Sequence, residues 1–178
     1  ILDERFKKSG SVSGHYFHQD LLVAQRIFEN NPNTHLDIGS RVDGFVAHVA
    51  SFRKIEVLDI RATEAKIENI DFKVADLMKV DNRMLNYCDS LSCLHALEHF
   101  GLGRYNDPIQ FDGYIAGLDS MYKILKKGGI FYLSVPIGKQ RVEFNGHRVF
   151  SVRYLLTLLQ DKYIIDNFSF VDDKGDLN

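Results

Sequence analysis

A doubly wound α/β fold, with a mostly parallel sheet and helices on both faces, is what this sequence predicts, and two observations carry the prediction. The first is an alternation of short apolar runs with amphipathic stretches along most of the 178 residues. The second is His35-Leu36-Asp37-Ile38-Gly39-Ser40, an apolar strand ending in Asp-x-Gly, followed by Ile55-Glu56-Val57-Leu58-Asp59, which closes on an acid about 20 residues past the glycine. Strand, glycine turn, helix and acid-ended strand form the unit that cradles an adenosine-bearing cofactor in a Rossmann-like sheet.

Each element has its own signal. Asp20 opens a helix through Leu21, Leu22, Ala24, Ile27 and Phe28, and Asn30-Asn31-Pro32 stops it, because proline cannot continue the ladder. Strands are predicted at 35–38, 55–59, 71–74, 90–94 and 130–135. Between them lie helices at 45–51 and 113–125, the latter with Ile115, Leu118, Met121, Tyr122 and Leu125 on one stripe. A helix at 152–160 and a strand at 163–171 follow. Repeats, low-complexity tracts and linkers are absent, so residues 1–178 read as one domain, with 1–34 an N-terminal segment and packing helix.

With 45% hydrophobic and 26% charged residues, the chain can build a substantial core. A formal charge of −2 and no long basic block give no general attraction to nucleic acid. No apolar run approaches the roughly 20 residues of a membrane span, and Ile1-Leu2-Asp3-Glu4-Arg5 lacks the form of a signal peptide, so a cytoplasmic protein is expected. The missing initiator methionine is expected of a piece of a longer protein. Cys88 and Cys93 fall in or near one buried strand, where apolar packing suits them better than a bridge.

The residues that end each strand are the ones to inspect, since ligands lie beyond the carboxyl ends of the strands in such sheets. Gly39 lets the chain turn and a ligand approach the backbone; Asp37 and Ser40 flank it. Asp59 would accept bonds from both ribose hydroxyls, with Ile60 beside it, and would exclude a 2′-phosphate. Asp76 could accept from the adenine amine, with Leu77 against the ring, although a turn carboxylate is an equal use of that acid. Arg41 and Val42 stand where further glycines would receive a pyrophosphate, which favours S-adenosyl-L-methionine over NAD. Taken alone, Asp-x-Gly is ordinary strand-to-turn punctuation; the order of the signals raises it.

The run Asp89 to His99, an apolar strand leading through His95 into Leu97-Glu98-His99, resembles the fourth-strand segment of S-adenosylmethionine-dependent methyltransferases. Leu125-Lys126-Lys127-Gly128-Gly129 followed by Ile130 to Pro136 is similar to the glycine turn and fifth strand of that superfamily. Three longer strings, Gly14 to Asp20, Glu98 to Pro108 and Phe144 to Val149, resemble a methyltransferase-like family of unknown function, found with bacterial surface-polysaccharide gene clusters and in some animal proteins. The resemblance implies a Rossmann-like methyltransferase fold and S-adenosyl-L-methionine as cofactor.

Those three strings and the Asp89 to His99 run hold His15, His18, His95, His99 and His147 among the chain's seven histidines. An imidazole can take a proton near neutral pH, and His99 and His147, after the fourth and fifth strands, are the first candidates for a catalytic base. His95 is expected at the cofactor. His15 and His18, with Arg104, Tyr105 and Arg148, are expected at the acceptor, where paired guanidinium donors suit a carboxylate or phosphate. The competing use of each histidine is to tie a loop to a carbonyl. His15-x-x-His18 and His95-x-x-x-His99 have spacings a metal could use, but no Cys/His cluster accompanies them and no metal is expected. Gly101-Leu102-Gly103 would give a lid its freedom.

The function predicted is methyl transfer to an oxygen or nitrogen of a small, anionic or carbohydrate-linked acceptor. A non-catalytic binding or assembly module in glycan biosynthesis is the alternative. An NAD-dependent sugar-nucleotide enzyme is a weaker one. Nucleic acid is not an expected partner, no membrane span is expected, and the sequence leaves the oligomeric state open.

Overall fold

The structure is a computed structural model describing residues 10, 12–61, 63, 65–144 and 146–178. The opening residues read above for a leader segment lie outside those described, as does Asn145 of the third string.

Five parallel strands form the sheet: β1 (His35–Ile38), β2 (Ile55–Asp59), β3 (Ile70–Val74), β4 (Cys88–Leu94) and β5 (Leu125–Ser134). Their order is β3-β2-β1-β4-β5, so the chain reverses its direction of travel between β1 and β4. That switch point opens a crevice at the carboxyl edge.

Strand alternation sorts the side chains onto two faces. Ile55, Val57 and Leu94 pack with Ala24 and Ile27 of α1 (His15–Asn30) and with Phe45, Val46 and Val49. The last three come from a wide helical turn, Val42–Val46, that runs into α2 (Ala47–Ala50). Leu36, Ile38, Leu58, Leu91 and Cys93 pack on the other face against Leu118, Met121 and Ile124 of α3 (Gly113–Ile124) and Leu155 of α4 (Val152–Leu159). Helices therefore cover both faces, as the sequence predicts. Cys88 and Cys93 are free and buried. Among the described residues no helix is long and apolar enough to cross a membrane.

Two expectations are corrected. The helix expected from Asp20 begins at His15, so His15 and His18 sit on α1 and not in a preceding loop. The strand expected at 163–171 does not form: Ile164 is 97% exposed, and only Val171 makes an isolated bridge, to Leu177. Its apolar residues have strand propensity, but among the described residues only Phe170 and Val171 find backbone partners, in Asn178 and Leu177. Instead the chain adds a short antiparallel hairpin, β6 (Arg141–Glu143) with β7 (His147–Val149), beyond β5. That hairpin brings the third string back over the carboxyl edge of the sheet.

Candidate active site

The turn after β1 is built by Asp37. Its carboxylate accepts from the Ser40 amide at 3.0 Å and the Ser40 hydroxyl at 2.6 Å, and also from the Ser92 hydroxyl on β4. The Ser40 Oγ in turn accepts from the Leu94 amide at 3.2 Å. Both residues are buried and neither lines the cleft. The structure thus corrects the reading of Asp37 and Ser40 as cofactor contacts: they hold the turn from beneath. Burial pushes the Asp37 carboxyl up to about 6, against the pull of its three donors. Gly39 occupies the left-handed region at φ +64°, and a Cβ there would lie 3.1 Å from Cβ of Ala96, so only glycine lets the β1 and β4 turns approach.

Above this turn the cleft is lined by Gly39, Asp59, Ile60, Asp76, Leu77 and His95, the remaining residues expected at a cofactor. Asp59 is gripped by Arg61, whose amide and Nε donate to Oδ1 at 2.8 and 2.9 Å and whose Nη2 donates to Oδ2 at 2.6 Å. A carboxylate offers about four lone-pair sites, so Oδ2 keeps one for a further donor. Asp76 spends Oδ1 on the Met78 amide at 2.9 Å, the turn use weighed for it from sequence.

The histidines converge from distant positions. His15, His95, His99 and His147 all line the cleft. The His15 ring lies 4.8 Å from that of His95, and His99 lies 6.2 Å from His147. His99 Nδ1 donates to the Gly146 carbonyl at 2.8 Å, and a carbonyl can only accept. The neutral ring therefore leaves Nε2 with its lone pair bare. Burial lowers the His99 pKa from its usual value, which keeps the ring neutral at pH 7. His18 departs from the group: its Nε2 meets the Gly175 carbonyl at 3.1 Å, and it does not line the cleft. No group of three or more His, Cys, Asp or Glu side chains among the described residues is placed to hold a metal ion.

Of the expected acceptor residues, Arg104 and Tyr105 line the cleft, with the Arg104 guanidinium 5.4 Å from the Tyr105 ring centre and Arg61 at 4.5 Å from it. Arg148 does not line it. Its guanidinium is buried over the Tyr114 ring and donates to the carbonyls of Glu98, Phe100 and Phe111, so it braces the loop from outside the cleft. The loop itself is tied down. Asp107 accepts from the amides of Gly101, Gly103 and Tyr105 at 2.9, 3.1 and 3.1 Å. Gly101 and Gly103 serve positive φ and close approach: a Cβ on Gly101 would fall 2.0 Å from the Gln110 carbonyl oxygen. They do not mark a free lid.

Sequence reasoning assigned no role to Arg61, Tyr16, Arg41 or Glu98, all of which line the cleft. Arg41 lies over the Tyr16 ring at 4.9 Å. Glu98 stood in the Leu-Glu-His string, and its nearly complete burial is a tertiary fact that the string does not encode.

Solved structures place this fold. The chain is similar to Burkholderia thailandensis 1,6-didemethyltoxoflavin-N1-methyltransferase with bound S-adenosylhomocysteine, with TM-score 0.64 and 16% identity over 85% of this chain and 70% of that one. It is similar to Haemonchus contortus phosphoethanolamine N-methyltransferase 2 in complex with S-adenosyl-L-methionine, at TM-score 0.59 and 16% identity over 89% of this chain and 39% of that one. Human N-acetylserotonin methyltransferase in complex with S-adenosylmethionine gives 0.60 and 17% over 85% and 47%. The architecture is thus the Rossmann-like fold of S-adenosylmethionine-dependent methyltransferases. No curated protein matches the sequence. By sequence the chain belongs to the family described as Caenorhabditis protein of unknown function, DUF268, whose profile matches residues 45–176.

Proposed function

We propose that this chain binds S-adenosyl-L-methionine in the crevice at the β1/β4 switch point and directs methyl transfer to an oxygen or nitrogen of a small, anionic or carbohydrate-linked acceptor. The observation that carries the reading is the meeting of Gly39, Asp59, Asp76 and the bare Nε2 of His99 in one cleft. The residues fit the cofactor: Gly39 opens the backbone, Asp59 Oδ2 retains a site for a ribose hydroxyl, Asp76 Oδ2 is left for an adenine amine, and Leu77 offers an apolar wall. Bound there, S-adenosylmethionine supplies an electrophilic methyl on a sulfonium.

His99 Nε2 takes the acceptor's proton, and its depressed pKa keeps it in the neutral form that can do so. His147 stands beside it as the second candidate base. Arg104 and Tyr105 supply a cation and an aromatic face, which suit an anionic or sugar-bearing acceptor. The carbohydrate part of this reading rests on the resemblance to the family found with polysaccharide clusters.

Calorimetric titration with S-adenosylhomocysteine, with NAD alongside, tests the cofactor. The folded protein should bind the first and not the second. Asp59→Ala should weaken S-adenosylhomocysteine roughly tenfold or more, since a bond to a charged group contributes about 1.5–3 kcal/mol. Absence of binding by the folded wild type overturns the reading; unchanged affinity in Asp59→Ala removes Asp59 from the site.

A further inference from the structure

Glu98 is among the most completely enclosed acids near the cleft, 2% exposed in the short helical turn Leu97–His99. Its Oε1 accepts from His95 Nδ1 at 2.9 Å and lies 3.9 Å from His99 Nε2. Its Oε2 is buried with no hydrogen-bond partner among the described residues. A buried, unpartnered carboxylate oxygen is costly and calls for a reason. A second cost lies three residues earlier: His95 holds a left-handed backbone at φ +53°, uncommon for any residue but glycine, and its N–H donates a hydrogen bond to the Ser134 carbonyl at 2.9 Å. Both costs fall in one turn at the end of β4. Both fix imidazoles that face the cleft.

We propose that Glu98 is the positioning residue of this site: it fixes the His95 ring through Nδ1 and stabilises the proton that His99 Nε2 receives. The proposal deepens the methyltransferase reading and rests on it. As the acceptor's oxygen or nitrogen takes the methyl carbon and the former C–S electron pair stays on sulfur, the acceptor's proton passes to Nε2. An imidazolium so formed meets a carboxylate oxygen at 3.9 Å, close enough for attraction in a buried turn.

The groups facing His99 set the balance. Burial, Arg104 on the loop and His147 on β7 all oppose a proton there; Glu98 and the Gly146 carbonyl favour it, and the Tyr105 ring closes the edge. Glu98 is itself faced by His95, by His15 and Tyr16 of α1, and by the Cys93 thiol of β4. An anionic Glu98 offsets the opposition that would otherwise make His99 too weak a base. His95 has a distinct part: its Nδ1 is committed to Glu98, which fixes the ring and leaves Nε2 turned from that bond.

Imidazole nitrogen spectra of the full chain, recorded across pH 5–8 in wild type and Glu98→Gln, with S-adenosylhomocysteine affinity measured on the same samples, test this. Glutamine keeps an oxygen to accept from His95 and removes the charge. The expected result is a downward shift of the His99 pKa by about half a unit or more, with cofactor affinity unchanged. An unmoved His99 titration in a folded Glu98→Gln protein overturns the proposal, even where stability falls. Should that variant not fold, the wild type decides: the Glu98 carboxyl carbon must shift in step with His99, and an independent midpoint overturns the proposal. A wild type that does not bind S-adenosylhomocysteine overturns the cofactor reading, and with it the catalytic meaning of Glu98, whatever the titration shows.

Discussion

Two polar clusters share this sheet and differ in how completely they are satisfied. Under α2, His35, Asp37, Ser40, Ser90 and Ser92 form a closed chain of hydrogen bonds: Ser90 Oγ meets His35 Nδ1 at 2.8 Å, His35 Nε2 meets Ser92 Oγ at 3.1 Å, and Ser92 passes its proton bond to Asp37. An ionised Asp37 fixes the direction of the whole chain, since each hydroxyl must donate toward the carboxylate and His35 must then donate to Ser92. At the cleft, His15, His95, Glu98, His99 and His147 leave sites unspent among the described residues, the His99 lone pair and Glu98 Oε2 among them. A saturated network fixes strands in register, and an unsaturated one keeps capacity for chemistry. The same residue types are structural in one place and reactive in the other.

The largest effect should come from breaking the closed cluster. Asp37→Ala leaves the hydroxyls of Ser40 and Ser92 and the Ser40 amide without their acceptor in a dry core, and should cost about 3 kcal/mol or more in urea unfolding. A loss under 1 kcal/mol would mean that the cluster tolerates an open end as the cleft does.

Next in size is His99. With a verified acceptor, His99→Asn should lower turnover roughly 100-fold while S-adenosylhomocysteine binds as before, because the lost interaction belongs to proton transfer and not to cofactor binding. Full turnover in both this variant and His147→Asn would leave catalysis to positioning alone.

Acid should separate the clusters more gently. Burial pushes the His35 pKa down to about 3 from 6.5, with Arg53 adding to it, so the folded protein refuses a proton that the unfolded chain accepts as pH falls below 6.5; this stability is lost toward pH 3. Asp37 runs the other way. With its carboxyl raised to about 6 from 3.8, the folded state holds a proton that the unfolded chain lacks between those values, and stability is gained on acidification. The His35 interval is the wider, so the pair nets a loss. In ring nitrogen spectra His35 should stay neutral to pH 4.5, whereas His99 protonates below its usual value; a His35 midpoint near 6.5 would show that the core cluster is open to water.

Much of this was legible in the sequence where a signal is local. β1 and β2 fall where the apolar runs and their closing acids put them, and the Asp-x-Gly turn is read correctly even though Asp37 proves to be its brace. The strand expected at 163–171 does not form because Ile164, Ile165 and Phe168 have strand-forming side chains but no strand beside them among the described residues, which no window of sequence reveals. The β6–β7 hairpin went unseen because its short strands carry Arg141, Glu143, His147 and Arg148 in place of an apolar alternation. Arg148 reads from sequence as an acceptor contact, but a guanidinium's direction is set by what it packs on, and here three backbone carbonyls claim it.

The smallest effect tests the boundary of the cleft. His15 and His18 come from one string and one face of α1, yet His15 lines the cleft beside His95 while His18 reaches the Gly175 carbonyl, which also accepts the Gly14 amide at 2.9 Å. His18 thus ties the start of α1 to the turn near residue 175 and has no part in the cavity. A single half-buried bond to a neutral carbonyl contributes about 0.5–1.5 kcal/mol, so His18→Ala should lower the melting temperature by a few degrees and leave S-adenosylhomocysteine affinity within twofold. His15→Ala makes the control: it removes a ring packed on His95, and its effect should appear in binding or turnover before it appears in stability. A tenfold loss of cofactor affinity in His18→Ala would place that histidine in the site after all and erase the distinction drawn between the two.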